Sequence, residues 1–589
     1  MLHFAETCNA IAATTKKLEK TALVAAYLQS LLLTNSLNEA ATAAIFLSGR
    51  PFPAYEEATL QVGGALLWQV ISELSRKSEH QLTEIYRKYG DAGSVAAEAL
   101  PARTGSELSL GAAQQAFSEI AAARGGAAKA SLLCALLERA TPLEAKYIVK
   151  IISGDLRIGL KESLVEEAIA RAFETPLDQV KRANMLLGDI GETLCLASAD
   201  KLADAHLRLF HSIDFMLASP VESGEEALSY FRNVSAEDKY DGIRAQAHIG
   251  GGEVRIFSRT RDEITESFPE LPAGLAGLAH DSILDGEIVA WNSDGKGRAL
   301  PFSALQRRLG RKKVSVQLMR EVPVAYLVFD ILYCDGELLL DRPLRERAVV
   351  LDNLMNRVER SASIDGHVGT DAPVCPAGRS SATPSQRSQT LFSFATIEPP
   401  AATVLRAPVA AAHSPQDIET LFTAARDRGN EGLMIKDLDS LYTPGRRGKS
   451  WLKMKRELAT LDVVVTAVEY GHGKRIGVLS DYTFAVWDGE RLVNIGKAYS
   501  GLADVEIAEM TRWFLQHKIS EQGFRLEVKP EIVLEVAFNN MMRSTRHESG
   551  YALRFPRIIR LRPDKLPEDA DTIDTVKEIY EQQKIVDGR

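Results

Sequence analysis

The chain has 589 residues, more than the roughly 250–300 residues that one hydrophobic core serves, so several domains are expected. Its composition, 45% hydrophobic and 25% charged, is that of an ordinary globular protein, and no apolar run reaches the ~20 residues of a membrane span. The net charge of −9 argues against a uniformly basic nucleic-acid coat, although screening confines each charge to about 8–10 Å and local clusters decide binding.

Residues 1 to about 210 read as helical. Ala, Leu, Glu and Lys dominate, and apolar residues recur at helical spacing, as in Leu164, Ala168, Ile169 and Phe173. The start, Met1-Leu2-His3-Phe4-Ala5-Glu6, lacks a basic segment followed by an apolar core, so a non-secreted protein is expected. Two segments echo one pattern: Tyr89-Gly90-Asp91-Ala92-Gly93 and Leu187-Gly188-Asp189-Ile190-Gly191. Each precedes a helical stretch. Its glycines expose backbone N–H groups at a helix N-terminus, a phosphate site, or its aspartate simply caps the helix. A third segment, Gly154-Asp155-Leu156-Arg157-Ile158-Gly159, sets an arginine between glycines.

From about 211 to 455, strand-like and helical runs alternate, as in an α+β domain. Lys239-Tyr240-Asp241-Gly242-Ile243-Arg244 follows the acidic pair Glu237-Asp238. A lysine beside a carboxylate, a glycine turn and an arginine can attack a nucleotide α-phosphate. The attack needs the neutral amine, which nearby cations or desolvation favour. Phe257-Ser258-Arg259 follows an alternating run, and Leu284-Asp285-Gly286-Glu287-Ile288-Val289 puts a carboxylate at the edge of an apolar strand. Tyr326 to Tyr333 is a buried strand carrying Phe329. Glu431-Gly432-Leu433-Met434-Ile435-Lys436 repeats the acid–glycine–strand–lysine design. Trp451-Leu452-Lys453-Met454-Lys455 puts Lys453 and Lys455 on one face of a strand, because side chains alternate. Between these runs, 361 to 390 is rich in Ser, Thr, Gly, Pro and Ala and reads as a mobile insertion.

After about 456, alternation returns at Leu461–Thr466, Tyr482–Trp487 and Ile532–Val536. Short strands with glycine-rich turns suggest a small barrel, and Thr572 to Lys584 reads as a closing helix. Arg554-Phe555-Pro556-Arg557 leads to Arg560, Arg562, Asp564 and Lys565. Basic clusters fall at Arg307, Arg308, Arg311, Lys312 and Lys313, at 446–456 and at 554–562. The first is either a solvated face or a binding patch. The five cysteines, Cys8, Cys134, Cys195, Cys334 and Cys375, are scattered and form no Cys-x-x-Cys, which fits a reducing compartment and argues against structural zinc.

Taken in order, Lys-Tyr-Asp-Gly-x-Arg, Glu-Gly-x-Met-x-Lys, Trp-Leu-Lys-x-Lys and Arg-Phe-Pro-Arg resemble the nucleotidyltransferase motifs of ATP-dependent DNA ligases, from about Phe215 to the C-terminus. The helical part more loosely resembles the DNA-binding domain of cellular members. The resemblance implies a multidomain architecture: an all-α DNA-binding domain over 1–210, an α+β nucleotidyltransferase (adenylation) domain over 211–455 carrying the insertion, and a β-barrel OB-fold domain over 456–589.

It also implies roles. Lys239 becomes adenylated, Glu237 accepts from the adenine amine, and Arg244 touches the ribose. Arg259 contacts ribose or the 5′-phosphate, Phe329 stacks on adenine, and Arg447, Lys453 and Lys455 contact the nucleotide. Glu287 and Glu431 suit magnesium (or manganese) or the ribose. Asp241 supports the same metal or shapes the turn. Arg557, Arg560, Asp564 and Lys565 orient pyrophosphate, and Gly90, Gly93, Arg157, Gly188 and Gly191 face DNA. The implied reaction seals nicks in double-stranded DNA with ATP, through lysine–AMP and 5′-adenylated DNA, in replication, repair or recombination. A monomer without a membrane is expected, in the cytoplasm, a bacterial or archaeal nucleoid, or a nucleus. An RNA ligase or mRNA-capping enzyme shares Lys-x-Asp-Gly, but the helical N-terminus and Arg-Phe-Pro-Arg count against it. A catalytically dead nucleic-acid binder is opposed by retention of Lys239, Glu287, Glu431, Lys453 and Lys455 together. NAD use is opposed by the absence of a cysteine-rich zinc module.

Overall fold

The computed structural model describes the chain except residues 34–35, 57, 104, 106–107, 279, 293–296, 301, 310, 312, 366–402, 456–458, 472–474, 476 and 587–589, with side chains also left aside at 303, 357–365 and 583–586. It divides into two compact units, one formed by Met1–Asp214 with Arg456–Ile585, the other by Phe215–Lys455 with Val586–Arg589. Among the described residues, no helix is long and apolar enough to cross a membrane.

The N-terminal part of the first unit is helical: α1 (Leu2–Ala13), α2 (Lys17–Leu33), α3 (Leu37–Leu47), α4 (Gly64–Ser75), α5 (Glu79–Tyr89), α6 (Ala92–Ala99), α7 (Leu110–Ala122), α8 (Gly126–Glu138), α9 (Pro142–Ile152), α10 (Glu162–Ala172), α11 (Leu177–Leu187) and α12 (Ile190–Ser198). Local signals set several starts. Ser78 with Gln81, and Thr141 with Glu144, form reciprocal capping boxes, the second with proline at the first helical position. On α10 the residues Leu164, Ala168 and Ile169 form the buried stripe their spacing predicts.

The two echoing segments are helix-to-helix joints of one design. Gly90 ends α5 and Gly188 ends α11, both left-handed at φ +68° and +66°. The next residue starts the following helix: Asp91 accepts the Ser94 N–H at 2.8 Å, and Asp189 accepts those of Gly191 and Glu192 at 2.8 and 3.0 Å. The capping reading of these aspartates is therefore realised. Gly93 and Gly191 lie in the first turns of α6 and α12, where a Cβ would come within 2.5 Å of the Lys146 carbonyl or 3.0 Å of the Ala41 carbonyl.

The second unit holds β1 (Leu217–Val221), β2 (Val234–Lys239), β3 (Ile243–Gly250), β4 (Glu253–Ser258), β5 (Ser282–Asn292), β6 (Arg298–Ala299), β7 (Val324–Cys334), β8 (Glu337–Leu338), β9 (Thr403–Arg406), β10 (Val409–Ala411), β11 (Gly432–Asp437) and β12 (Arg447–Met454). One sheet has the order β1-β12-β11-β2-β10; the other runs β4-β3-β5-β7-β8, with β6 on β5 and β9 on β7. The chain passes from one sheet to the other between Lys239 and Ile243. Helix Pro415–Asp427 covers the first sheet through Ile418 and Phe422, against Leu433 and Leu452. Helix Leu344–Asp365 covers the second through Leu351 and Leu354. That helix takes in 361–365 of the expected insertion; its remainder, 366–390, lies outside the described residues.

Two arginines are wholly buried. Arg347 makes a two-pronged bond to Asp330 at 2.8 Å, and Arg308 does so to Glu270 at 2.5 and 2.7 Å. Arg308 thus leaves the first basic cluster, and Arg307 is tied to Glu321. A run of charges in sequence cannot tell a core ion pair from a solvated face, and here it holds both.

The C-terminal part of the first unit contains β13 (Ala459–Tyr470), β14 (Leu479–Asp488), β15 (Arg491–Ala498), β16 (Lys518–Gln522), β17 (Arg525–Val528), β18 (Val533–Phe538), β19 (Asn540–Arg543), β20 (Tyr551–Arg554) and β21 (Arg557–Leu561). β13 is the central strand: it pairs β14 along one edge and both β17 and β18 along the other, while β18 also pairs β21. This is the β half-barrel of an OB-like domain, packed around residues such as Val463, Phe484 and Val536. Helix Ile573–Val586 closes the chain, where the sequence predicts one.

Removing one partner of a fully buried ion pair strands the other charge. Asp330→Ala should therefore destabilise the second unit by about 3–5 kcal/mol, read as an earlier urea transition followed by the fluorescence of tryptophans within that unit.

Candidate active site

Lys239 is the last residue of β2, opposite Gly432 at the start of β11. The Glu431 N–H donates to the Lys239 carbonyl at 2.8 Å, and Lys239 Nζ donates to Glu431 Oε2 at 2.5 Å. Gly432 sits at φ +147°, where an added Cβ would lie 2.2 Å from the Met454 carbonyl. Only glycine lets β11 enter here and deliver Glu431 to the lysine. At the other side of the turn, Gly242 has ordinary backbone angles. It is glycine because a Cβ would meet the Ile288 carbonyl at 2.4 Å and Glu287 Cγ at 2.9 Å. Close packing on β5, rather than a left-handed turn, explains it.

Two further ion pairs flank the lysine. On β2, buried Glu237 accepts from buried Lys436 of β11 at 2.6 Å. The Lys436 ammonium lies 4.3 Å from the ring centre of Phe329 and 4.5 Å from that of Trp451. On β3, Arg244 donates through Nε and Nη2 to Asp285 at 3.1 and 2.7 Å, and through Nη1 to the Met216 carbonyl at 2.6 Å. Its guanidinium is walled by Phe215, Phe329 and Trp451. The Tyr442 hydroxyl donates to Asp285 at 2.8 Å and accepts the Met216 N–H at 3.1 Å. The buried indole N–H of Trp451, between these groups, has no hydrogen-bond partner.

Carboxylates and cations face each other here. Burial pushes the Glu287 carboxyl up to about 7, with Lys239 and Arg244 opposing and Asp285 and Glu431 adding to the rise. A half-buried carboxyl among other carboxylates is the donor set a divalent cation satisfies. Burial also lowers the Lys453 ammonium, reinforced by Lys455, Arg447, Lys239 and Arg259, so those five cations share one field. Lys455 lies one residue past the end of β12 instead of on its face. Arg259 and Arg447 are exposed. Asp241 is half-buried in the turn, and the charges acting most on Glu287 do not include it.

The other expected residues lie in the first unit. Arg157 donates to the Gly90 carbonyl at 2.5 Å, joining two of the candidate DNA-facing residues. Gly93, Gly188 and Gly191 are buried. Arg560 pairs with Glu535, Asp564 with Arg562, and Lys565 with Asp462, while Arg557 is exposed. In the second unit, His280, Cys334 and Asp335 cluster at the β7–β8 turn.

Residues 215–372 and 383–455 match the ATP dependent DNA ligase domain, residues 1–170 the DNA ligase N terminus, and 475–565 the ATP dependent DNA ligase C terminal region. The chain belongs to the ATP-dependent DNA ligases. A probable DNA ligase of Koribacter versatilis is 56% identical over 98% of this chain and 96% of its own length. A DNA ligase of Methanopyrus kandleri is 36% identical over 92% of each. A solved structure described as Pmar-Lig_PreS3 shares the fold, with a TM-score of 0.57 at 16% identity over 95% of this chain and 99% of that one. The protein is thus a DNA ligase, and the RNA-ligase and capping readings are not favoured. The break at 373–382 in the matched domain falls within the Ser/Thr/Pro-rich segment 361–390 of this ligase.

Sequence reasoning missed Lys436, Asp285 and Tyr442 as site residues. β2 reads Val-Ser-Ala-Glu-Asp-Lys and carries no apolar signal, so the need of Glu237 for a partner shows only in its burial beside Lys436. Gly432→Ala should displace Glu431 from Lys239. Adenylation of the ligase should fall on the order of a hundredfold, measured as the rate of AMP addition by intact mass.

Proposed function

We propose that this ligase works as three domains, 1–210, 211–455 and 456–589, and seals nicks in duplex DNA by three phosphoryl transfers. First, Lys239 Nζ attacks the α-phosphorus of ATP. A P–N bond forms, the bond to the β-phosphate oxygen breaks, and pyrophosphate leaves with the electron pair while an amine proton is lost. Second, an oxygen of the nick 5′-phosphate attacks the same phosphorus, the P–N bond breaks, and the lysine regains a proton. Third, the 3′-hydroxyl attacks the 5′-phosphate, loses its proton and displaces AMP. Positioning and charge neutralisation carry such transfers.

The observation that supports this reading best is the contact of Lys239 Nζ with Glu431 at 2.5 Å, with Lys239 itself one of the cations, beside Lys455, Arg447 and Arg259, that act on Lys453. Glu431 is the acceptor to which the lysine proton can pass before attack. The cations meet the charge on the α-phosphate. Glu237, held by Lys436, receives the adenine amine; such a hydrogen-bonding site discriminates strongly against a base lacking the group. Phe329 stacks on the base and Arg244, held by Asp285, meets the ribose. Glu287 and Glu431, with Asp241 in support, would hold Mg²⁺ or Mn²⁺, which supplies charge neutralisation at the phosphate. Arg557, Arg560, Asp564 and Lys565 orient pyrophosphate. The joints containing Gly90, Gly93, Gly188 and Gly191, with Arg157, contact DNA. The enzyme acts as a monomer in the compartment that holds the chromosome, in repair, replication or recombination.

Lys239→Ala and Lys239→Arg should both lose adenylation, the second because guanidinium stays protonated. Intact mass after incubation with ATP and magnesium should show one added AMP in the unmodified protein only; normal labelling of either variant removes the assignment. Lys565→Ala should slow single-turnover adenylation on the order of tenfold or more while sealing of pre-adenylated nicks changes only a few-fold. Equal slowing of both steps would leave the pyrophosphate role unsupported.

A further inference from the structure

The basic segment that ends the C-terminal half-barrel is built onto acids supplied by other strands. Register opposes Asp462 of β13 to Glu535 of β18, and Glu535 to Arg560 of β21. Directly opposed residues share a face of the sheet, so the three side chains form one row. Arg560 Nε donates to Glu535 at 2.7 Å. Arg562 Nη1 donates to both oxygens of Asp462 at 2.9 and 3.1 Å, and its Nε and Nη2 hold Asp564. Lys565 Nζ donates to Asp462 Oδ2 at 2.6 Å.

Asp462 therefore gathers two cations that would otherwise repel each other. It is itself held from behind: its N–H donates to Asp571 Oδ2 and its carbonyl accepts the Asp571 N–H, both at 2.8 Å. The side chains of Asp462 and Arg562 are only 13% and 14% exposed, so this is a built contact and not a solvent-facing pair. The bond to Asp462 also raises the Lys565 ammonium above the ordinary lysine range, keeping it charged. Asp462 lies about a hundred residues before the basic segment, and nothing in that segment's own pattern points to it.

We propose that Asp462 is a positioning residue for lysine adenylation: locked by Arg562, it fixes Lys565 so that the Lys565 ammonium meets the leaving pyrophosphate. The inference rests on the reading of this basic segment as pyrophosphate-orienting. In that step the Lys239 Nζ–phosphorus bond forms, the phosphorus–oxygen bond to the β-phosphate breaks, and negative charge develops on the departing oxygen. Donors already fixed at that charge act without reorganisation, which is where such groups have their largest effect. Sealing of a nick that already carries AMP releases no pyrophosphate, so it does not draw on this arrangement.

The test is the single-turnover rate of adenylation by ATP against that of sealing a pre-adenylated nick, on the full chain. Asp462→Asn keeps the shape and removes the charge. It should slow adenylation on the order of tenfold or more and sealing only a few-fold. Asp462→Asn combined with Arg562→Gln should be little slower in adenylation than Arg562→Gln alone, because the two act as one unit. If Asp462→Asn fails to fold, Asp462→Glu retains the charge on a longer arm and should show the same split at smaller size. Equal slowing of both steps, no change, or faster adenylation overturns the proposal. Lys565→Ala run in parallel separates the two readings. If it too lacks selectivity, the pyrophosphate role fails; if it is selective and the Asp462 variants are not, the positioning role alone fails.

Discussion

The active site depends on how tightly the chain crosses from one sheet to the other between Lys239 and Ile243. Lys239 still belongs to the first sheet, paired with Gly432, and Ile243 already belongs to the second, paired with Ile288. The crossing has three residues in which to change sheets. Gly242 makes it possible by lying where any side chain would strike the Ile288 carbonyl and the stem of Glu287. The same contact brings the Glu287 carboxyl under the influence of Lys239 and Glu431, groups of the opposite sheet. A bulkier residue at 242 would prise β3 from β5 and separate the lysine from that carboxyl at once.

Three ion pairs stand along this crossing, and their exposures differ in a way that suits their tasks. Glu237 and Lys436 are almost wholly buried, and Asp285 beneath Arg244 is fully so. Burying charges costs desolvation, which is recovered only when geometry is good and the remaining atoms are bonded. Arg244 meets that condition through Asp285 and Met216, with Tyr442 completing Asp285. In the Lys239–Glu431 pair, by contrast, both partners stay about a fifth exposed, at 22% and 21%. Solvent weakens that pair relative to the other two. On the proposed mechanism, the pair that must come apart is the one that separates most easily, while the two deeper pairs are locked.

Much of this was legible in the sequence, for an identifiable reason. Strands such as Val324–Cys334 and Gly432–Asp437 declare themselves by apolar runs bounded by glycine or charge, and their motifs stay contiguous in the chain. Partners are another matter. That Lys436 answers Glu237, that Tyr442 completes Asp285, and that Asp462 receives Arg562 are products of strand register, which one sequence does not print. Arg308 shows the converse: amid Arg307, Arg311 and Lys313 it reads as surface, yet it is buried against Glu270. The glycines of the two helical joints were legible as special, and the structure adds local causes. At Gly93 and Gly191 an added Cβ would crowd a carbonyl, Gly90 and Gly188 are left-handed helix ends, and the aspartates beside them cap helices.

The acidic net charge then ceases to be a paradox for a protein that handles DNA. Charge acts over about 8–10 Å, and in this molecule many acids are committed close by: Asp238 to Arg428, Glu237 to Lys436, Glu535 to Arg560, Asp462 to Arg562 and Lys565. Such pairing sets direction as well as magnitude. A guanidinium free to swing presents its charge over a wide volume. One anchored by a carboxylate presents it along a fixed line, and loses less freedom when a phosphate arrives. Around Lys453 the balance is reversed. The charges that act most on it are cations, Lys455, Arg447, Lys239 and Arg259, of which Lys239 is paired with Glu431, and their mutual repulsion favours an anion among them. On the proposed function, cations are paired where geometry is needed and gathered where a phosphate binds, and the total charge over the chain reports neither.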